Sequence, residues 1–241
     1  MPTADPRRLR RSGWAQPLHW FPRMNSKWVR LLMSFAAGAT NTYVYGVVNR
    51  NAPGARVLMP WTLIDQWVPF VPSAVWVYLS VHVLVIGAFL SLDGVPRARR
   101  YTTAYLLTLF VGVTVHWFLP AELPRDAWPV LGDTLSNQVL IKLRELDTPM
   151  SCWPSMHVAF SWLAALALWK SGKKRFVGAA VWAFAVSAST MLTKQHYLVD
   201  VVGGLVLAVV AWWALMVMPE GARTGRAQVL ASAAHRAPGA A

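Results

Sequence analysis

The chain has a single cysteine, Cys152, in 241 residues, and few acids: ten Asp and Glu against 23 Lys and Arg. One cysteine excludes an internal disulfide, so folding does not depend on an oxidising compartment. Charge of either sign is scarce, at 14% of residues, while 56% are hydrophobic. A soluble domain has about 45–50% apolar residues. The charges are also segregated, which leaves long stretches with none. An integral membrane protein fits both facts. The excess charge, +13, sits at the ends of apolar segments. A phospholipid bilayer explains that placement better than a nucleic acid does, and we read no nucleic-acid module. The first 25 residues lack an apolar core followed by a small-residue cleavage site, so the first membrane helix is expected to act as the insertion signal. No repeat of about 20–50 residues is evident.

Six apolar segments stand out, each near the ~20 residues that cross a bilayer. They lie at about 29–48, 73–92, 102–119, 154–170, 175–193 and 197–218. The expected fold is all-α, a polytopic membrane bundle of six transmembrane helices. Residues 1–28 read as a basic, aromatic segment that is interfacial or disordered. Residues 29–218 form the membrane domain. Residues 219–241, rich in Ala, Arg and Gly, read as a disordered tail.

Most of the 23 basic residues fall on one side of this layout. They include Arg7 to Lys27, Arg97 to Arg100 and Lys170 to Arg175. The positive-inside rule then places both termini in the cytoplasm of a cell with an inner membrane. Loops 49–72, 120–153 and 194–196 become outer, or periplasmic. Within the longest, Leu135, Val139, Leu143 and Leu146 recur at helical spacing. That predicts an amphipathic helix on the membrane surface.

Two polar corners fall on the outer side. Pro154-Ser155-Met156-His157 opens the fourth apolar segment. Pro suits a helix start, and the first N–H groups of such a helix have no internal partner. They attract phosphate. His157 stands in that first turn. The second corner is His196-Tyr197-Leu198-Val199-Asp200. Four residues apart, the carboxylate is placed to hold one ring nitrogen of His196, leaving the other free and basic. A histidine nucleophile attacking phosphorus needs that arrangement. An acid inside a membrane segment is costly and so points to function. Taken singly, each residue has a plainer reading. Ser155 suits a helix cap, Lys194 an interfacial charge and Arg125 a solvated loop.

Together the motifs carry a resemblance. Pro154-Ser155-Met156-His157 resembles the P-S-x-H motif of the type 2 phosphatidic acid phosphatase (PAP2) superfamily, relatives of the vanadium haloperoxidases. Ser189 to Asp200 resembles its S-R-x5-H-x3-D motif, with the spacing to His196 and Asp200 kept. The resemblance covers about residues 60–218. It implies that His196 forms a phosphohistidine, that Asp200 orients it, and that His157 protonates the leaving oxygen. Ser155 and the helix N–H groups would bind phosphate oxygens. No metal and no cofactor are implied. Thr190 stands where the family has Arg, with Lys194 as its substitute. The K-x6-R-P motif is not present as such. Arg125 is the chosen remnant, with Lys142 and Arg144 as further substrate-binding candidates.

Asp147-Thr148-Pro149 and Trp153 to Ala159, with Lys194-Gln195-His196-Tyr197, are also similar to the inositolphosphotransferase branch, which includes inositol phosphorylceramide synthases. The leading expectation is a membrane lipid phosphatase or phosphotransferase with a periplasmic site, acting on a lipid phosphate. Transfer of a phospho-head group to an alcohol is the alternative. A non-enzymatic transporter and a two-His, one-carboxylate metal hydrolase are weaker readings. An intramembrane serine protease is weaker still, because Ser155 lacks a Gly-x-Ser-x-Gly setting. Nothing in the sequence bears on oligomeric state.

Overall fold

The computed structural model describes residues 26–52, 57–125, 128–149 and 151–217. The expected basic N-terminal segment up to residue 25 and the tail from 218 lie outside the described residues. Helix α1 spans Ser26–Asn51. A five-residue helix, α2 (Leu63–Trp67), follows, capped by Thr62 and Asp65. A 3-10 turn at Pro72–Ala74 leads into α3 (Val75–Leu79) and α4 (Val81–Ser91). Helix α5 covers Val95–Phe118, and α6 covers Leu135–Leu146. Helices α7 (Met156–Ala167), α8 (Lys173–Leu192) and α9 (Leu198–Trp212) complete the bundle. The π-helical turn Trp213–Val217 continues α9.

The architecture is helical as expected, with one small addition. Strands β1 (Val57–Leu58) and β2 (Ala121–Glu122) pair in parallel, Val57 opposite Ala121. Ala121 also bridges Ser151. These contacts tie the α1–α2, α5–α6 and α6–α7 loops together just ahead of the Pro154 corner.

Among the described residues, three segments are long and apolar enough to cross a membrane: Pro72–Ser91, Lys173–Leu192 and Leu198–Val217. They coincide with three of the six expected spans. Helices α1 and α5 have 26 and 24 residues, ample length for a core of about 30 Å. Their polar residues keep them out of that apolar class. Helix α5 starts at Val95, earlier than expected, and so takes in Arg97, Arg99 and Arg100. Helix α7 has only 12 residues and is a shorter apolar helix, about 18 Å long. The expected span at 154–170 is therefore cut short.

The shortness of α7 goes with its position. It is buried along nearly its whole length, from Met156 to Ala167, and packs against α4, α5, α8 and α9. Small residues let neighbours come close. A Cβ on Gly203 of α9 would stand 2.7 Å from Trp153 Nε1, and one on Gly204 would strike the Ser155 carbonyl. At the far end of α7, Arg97 donates to the Ala167 carbonyl and the Ser171 hydroxyl, and pairs with Asp93. The basic end and the histidine end are thus opposite ends of one helix.

Helix α6 forms where its periodicity predicts. Leu140 is the fully buried residue, while Leu135 and Leu146 are exposed. The helix leans on α3 and the Pro72 turn, with Trp76 Nε1 donating to Ser136 Oγ at 3.0 Å.

Candidate active site

Ser155 opens α7 as its N-cap. Its hydroxyl accepts from Val158 N–H at 3.4 Å, and its own N–H donates to the Asp200 carbonyl at 3.0 Å. The side chain is fully buried. Ser155 therefore joins the starts of α7 and α9, and its hydroxyl caps the helix, the plainer of its two readings. The N–H groups of Met156 and His157, in the first turn, have no partner within the helix.

His157 is held by a residue from another element. Its Nδ1 lies 3.1 Å from the Tyr78 hydroxyl, and the two rings stack with centroids 4.0 Å apart. The His196 ring stands 6.3 Å from the His157 ring, tilted by 49°. The two corners thus meet across a gap between α7 and the α8–α9 connection.

His196 is buried at 5% exposure and Asp200 at 0%. Their approach is 3.5 Å, from Nδ1 to Oδ2. Asp200 Oδ2 also takes the Tyr197 N–H at 2.8 Å, completing the cap of α9. Thr190, at the position of the missing Arg, shapes this corner through its backbone. Its carbonyl accepts both the Gln195 and His196 N–H groups, at 3.0 and 3.1 Å. Its hydroxyl turns back to the Ser187 carbonyl. Gln195 is fully buried, and neither amide atom of its side chain has a hydrogen-bond partner among the described residues.

The four candidate cations separate clearly. Lys194 takes a left-handed backbone, φ 53°, and its ammonium donates to the Asp65 and Val68 carbonyls at 2.8 and 2.6 Å. Burial holds this ammonium below its usual pKa, against the opposing pull of Asp65. Arg144 donates to the Trp128 and Thr193 carbonyls. Lys194 thus fastens α2, and Arg144 fastens α6, to the α8–α9 turn. Lys142 is exposed and pairs with Glu145 at 2.6 Å, so the structure does not gather it with the histidines. Its place on the open face of α6 explains why. Arg125 is buried, and its Nη1 donates to the Asp147 carbonyl at 2.6 Å. Its charge reaches Cys152, whose thiol burial pushes well above its usual pKa while Arg125 pulls it down.

Three residues escaped the sequence reading. Tyr78 is one. His116 is another: fully buried at the end of α5, it brings Nε2 to 3.2 Å from the Pro154 carbonyl. The third, Asp65, accepts from Leu198 N–H at 2.8 Å and from Thr62 N–H at 2.9 Å. An ionisable group in an apolar segment is costly wherever it occurs. That rule, used for Asp200, would also have flagged His116. For Asp65 the local signal is the Thr62-x-x-Asp65 capping-box spacing, which marks a helix start but not the contact with Leu198.

Comparison with known proteins identifies the family. The family model PAP2_3, described as PAP2 superfamily, matches residues 56–214. The chain belongs to the PAP2 superfamily. No curated protein and no solved structure matches it. Membership suggests activity of the phosphatase or phosphotransferase type, with lipid substrates and association with a membrane. No group of three or more His, Cys, Asp or Glu placed to hold a metal occurs among the described residues.

Proposed function

We propose that the protein is a lipid phosphate phosphatase or phosphotransferase that works through a phosphohistidine at His196, on the periplasmic face of an inner membrane. The observation that carries this reading is the approach of His157 and His196, rings 6.3 Å apart, with buried Asp200 behind the second. His196 Nε2 attacks phosphorus, and the bond to the leaving oxygen breaks. Asp200 faces Nδ1 and offsets the positive charge that develops on the ring. As an imidazolium, His157 donates its Nδ1–H to the Tyr78 oxygen and gives its Nε2 proton to the leaving oxygen, which leaves a neutral imidazole. In the second step water or an alcohol gives its proton to His157 while its oxygen attacks phosphorus. The P–N bond then breaks and His196 is restored. The Met156 and His157 N–H groups, with Arg125, meet the phosphate oxygens.

Water and an alcohol differ only in what enters for the second step. The stretch Asp147-Thr148-Pro149 supports the transferase reading of the inositolphosphotransferase type. Here Asp147 and Thr148 are anchored to Tyr45 and Asn49 of α1. The test is incubation of purified protein with labelled lipid phosphates and phospholipids, with and without free inositol. Release of free phosphate identifies a phosphatase, and a new phosphodiester identifies a transferase. In either case His196→Ala abolishes turnover while the protein remains folded. Full activity in that variant would overturn the mechanism.

A further inference from the structure

Helix α1 lies ahead of the stretch that matches the family, which begins at residue 56. Its C-terminal end is nevertheless tied to the connection that precedes the histidine corner. Asn49 is buried at 4% exposure and turns its amide to that connection. Its Nδ2 donates to Asp147 Oδ1 at 3.1 Å and to the Thr148 carbonyl at 3.3 Å. Its Oδ1 accepts the Thr148 N–H at 3.0 Å and lies 3.1 Å from the Thr148 hydroxyl, which also reaches the Asn49 carbonyl. Two consecutive residues thus engage both donors and the oxygen of one side chain. An amide is what this place needs, because a carboxylate lacks the donors and an alkyl group lacks both functions.

Asp147 is the hub of the tie. Tyr45, one turn earlier on α1, donates to the same Oδ1 at 2.9 Å. The Asp147 N–H closes α6 on the Leu143 carbonyl. Its carbonyl takes Arg125 Nη1 at 2.6 Å. Among the described residues this carbonyl is the acceptor that orients the guanidinium, and Arg125 Nε has no partner there. The Arg125 charge is felt at the Tyr78 hydroxyl, which touches His157. Tyr45 also braces the corner from behind. Its ring meets His116 edge-on at 5.8 Å, and His116 Nε2 stands 3.2 Å from the Pro154 carbonyl.

We infer that Asn49 is a positioning residue: through Asp147 and Thr148 it sets the Arg125 guanidinium against the transferring phosphate. The inference rests on the reading of Arg125 and the two histidines as the phosphoryl-transfer site, and it adds that a helix outside the matched stretch completes that site. A guanidinium on a flexible stem must otherwise be ordered when substrate binds, at a cost in rotamer entropy. A fixed anchor carbonyl meets that cost in the folded protein. Helix α1 supplies the stiffness a loop lacks, since it has 26 residues and packs on α4 and α5.

The test compares purified full-length variants in detergent. Asn49→Ala should lower kcat by about tenfold to 10²-fold, the usual cost of a small misplacement relayed from a distance, with KM little changed. Because Asn49 acts through Arg125, adding Asn49→Ala to Arg125→Ala should cost less than about twofold. Equal losses in the two backgrounds would make Asn49 a general structural residue and sink the inference. The control is Asn51→Ala. Asn51 is exposed and bonds back to the Val47 carbonyl, so kcat should stay at the wild-type level.

A second pair of variants serves where Asn49→Ala fails to fold. Asn49→Asp sets a carboxylate against that of Asp147 and should also lose activity. Adding Asp147→Asn removes the repulsion and returns a donor, so kcat should recover at least about tenfold. No recovery counts against the tie. An arm free of turnover follows amide hydrogen exchange. Asn49→Ala, or Asn49→Asp in its place, should speed exchange across residues 121–149 at least about tenfold and leave α8 and α9 as in the wild type. Unchanged exchange across 121–149 overturns the inference whatever the kinetics. If the wild type turns over no phosphate ester, the His196 reading fails, and the exchange result still decides whether Asn49 holds the segment that carries Arg125.

Discussion

The Tyr78 hydroxyl sits 3.1 Å from His157 Nδ1, and the two rings stack 4.0 Å apart. A residue of α3 thus fixes both the plane of the imidazole and the nitrogen that is left free. If His157 is the acid of the first step, its worth depends on the leaving group. His157→Ala should lower turnover of alkyl phosphates by about 10²–10⁴-fold. With p-nitrophenyl phosphate, whose leaving group needs no proton, the loss should be far smaller. Tyr78→Phe keeps the stack and loses the hydroxyl, and should show the same leaving-group dependence at about a tenfold loss. Equal losses on both substrates would assign His157 to binding rather than proton transfer.

Asp200 has two duties: it caps α9 through Tyr197 N–H and faces His196 Nδ1. Asp200→Asn keeps an oxygen for the cap but removes the charge. Its kcat should fall about 10³–10⁴-fold with little change in thermal stability. A matching drop in melting temperature would reveal a purely structural carboxylate.

Arg125 is the cation the sequence favours and Lys142 one of its substitutes, and the structure separates them. Arg125 is buried beside Asp147, whereas Lys142 is exposed and bound to Glu145. Arg125→Ala should cost about 10²–10³-fold in kcat, the usual worth of one donor on developing charge. Lys142→Ala removes only a surface ion pair and should leave activity unchanged, with a stability effect below about 1 kcal/mol. Steady-state kinetics on both variants checks the pair, and the reverse order would remove Arg125 from the site.

Asp65 links α2 to the start of α9. Its carboxylate receives the Thr62 N–H and hydroxyl and the Leu198 N–H, at 2.9, 2.7 and 2.8 Å. Asp65→Ala should destabilise the protein by about 2–3 kcal/mol, since it leaves those donors without an acceptor. Asp65→Asn retains an acceptor and should lose less. Thermal unfolding in detergent gives the order.

Gly204 lets α9 touch the corner at Ser155. A Cβ there strikes the Ser155 carbonyl, a backbone atom that cannot swing aside. Gly204→Ala should cost about 1–3 kcal/mol and lower kcat by shifting His196 against His157. Gly46, whose Cβ would meet no atom within 4 Å, is the control, and Gly46→Ala should be neutral or slightly stabilising.

The sequence alone determined what is written in near neighbours along the chain. Helix starts, the Ser155 cap and the four-residue step from His196 to Asp200 are local, so residue order suffices to place them. The apolar runs located the segments, although α7 ended early. Tertiary structure decided which distant groups meet. Tyr78 reaches His157 across 79 positions, and Asp65 reaches Leu198 across 133. Such pairs depend on how helices pack, and a buried polar atom accepts whichever partner the packing brings. The same reason settled the cations. Their charge was plain in the sequence, but whether each met a carbonyl, a carboxylate or the surface followed from the fold.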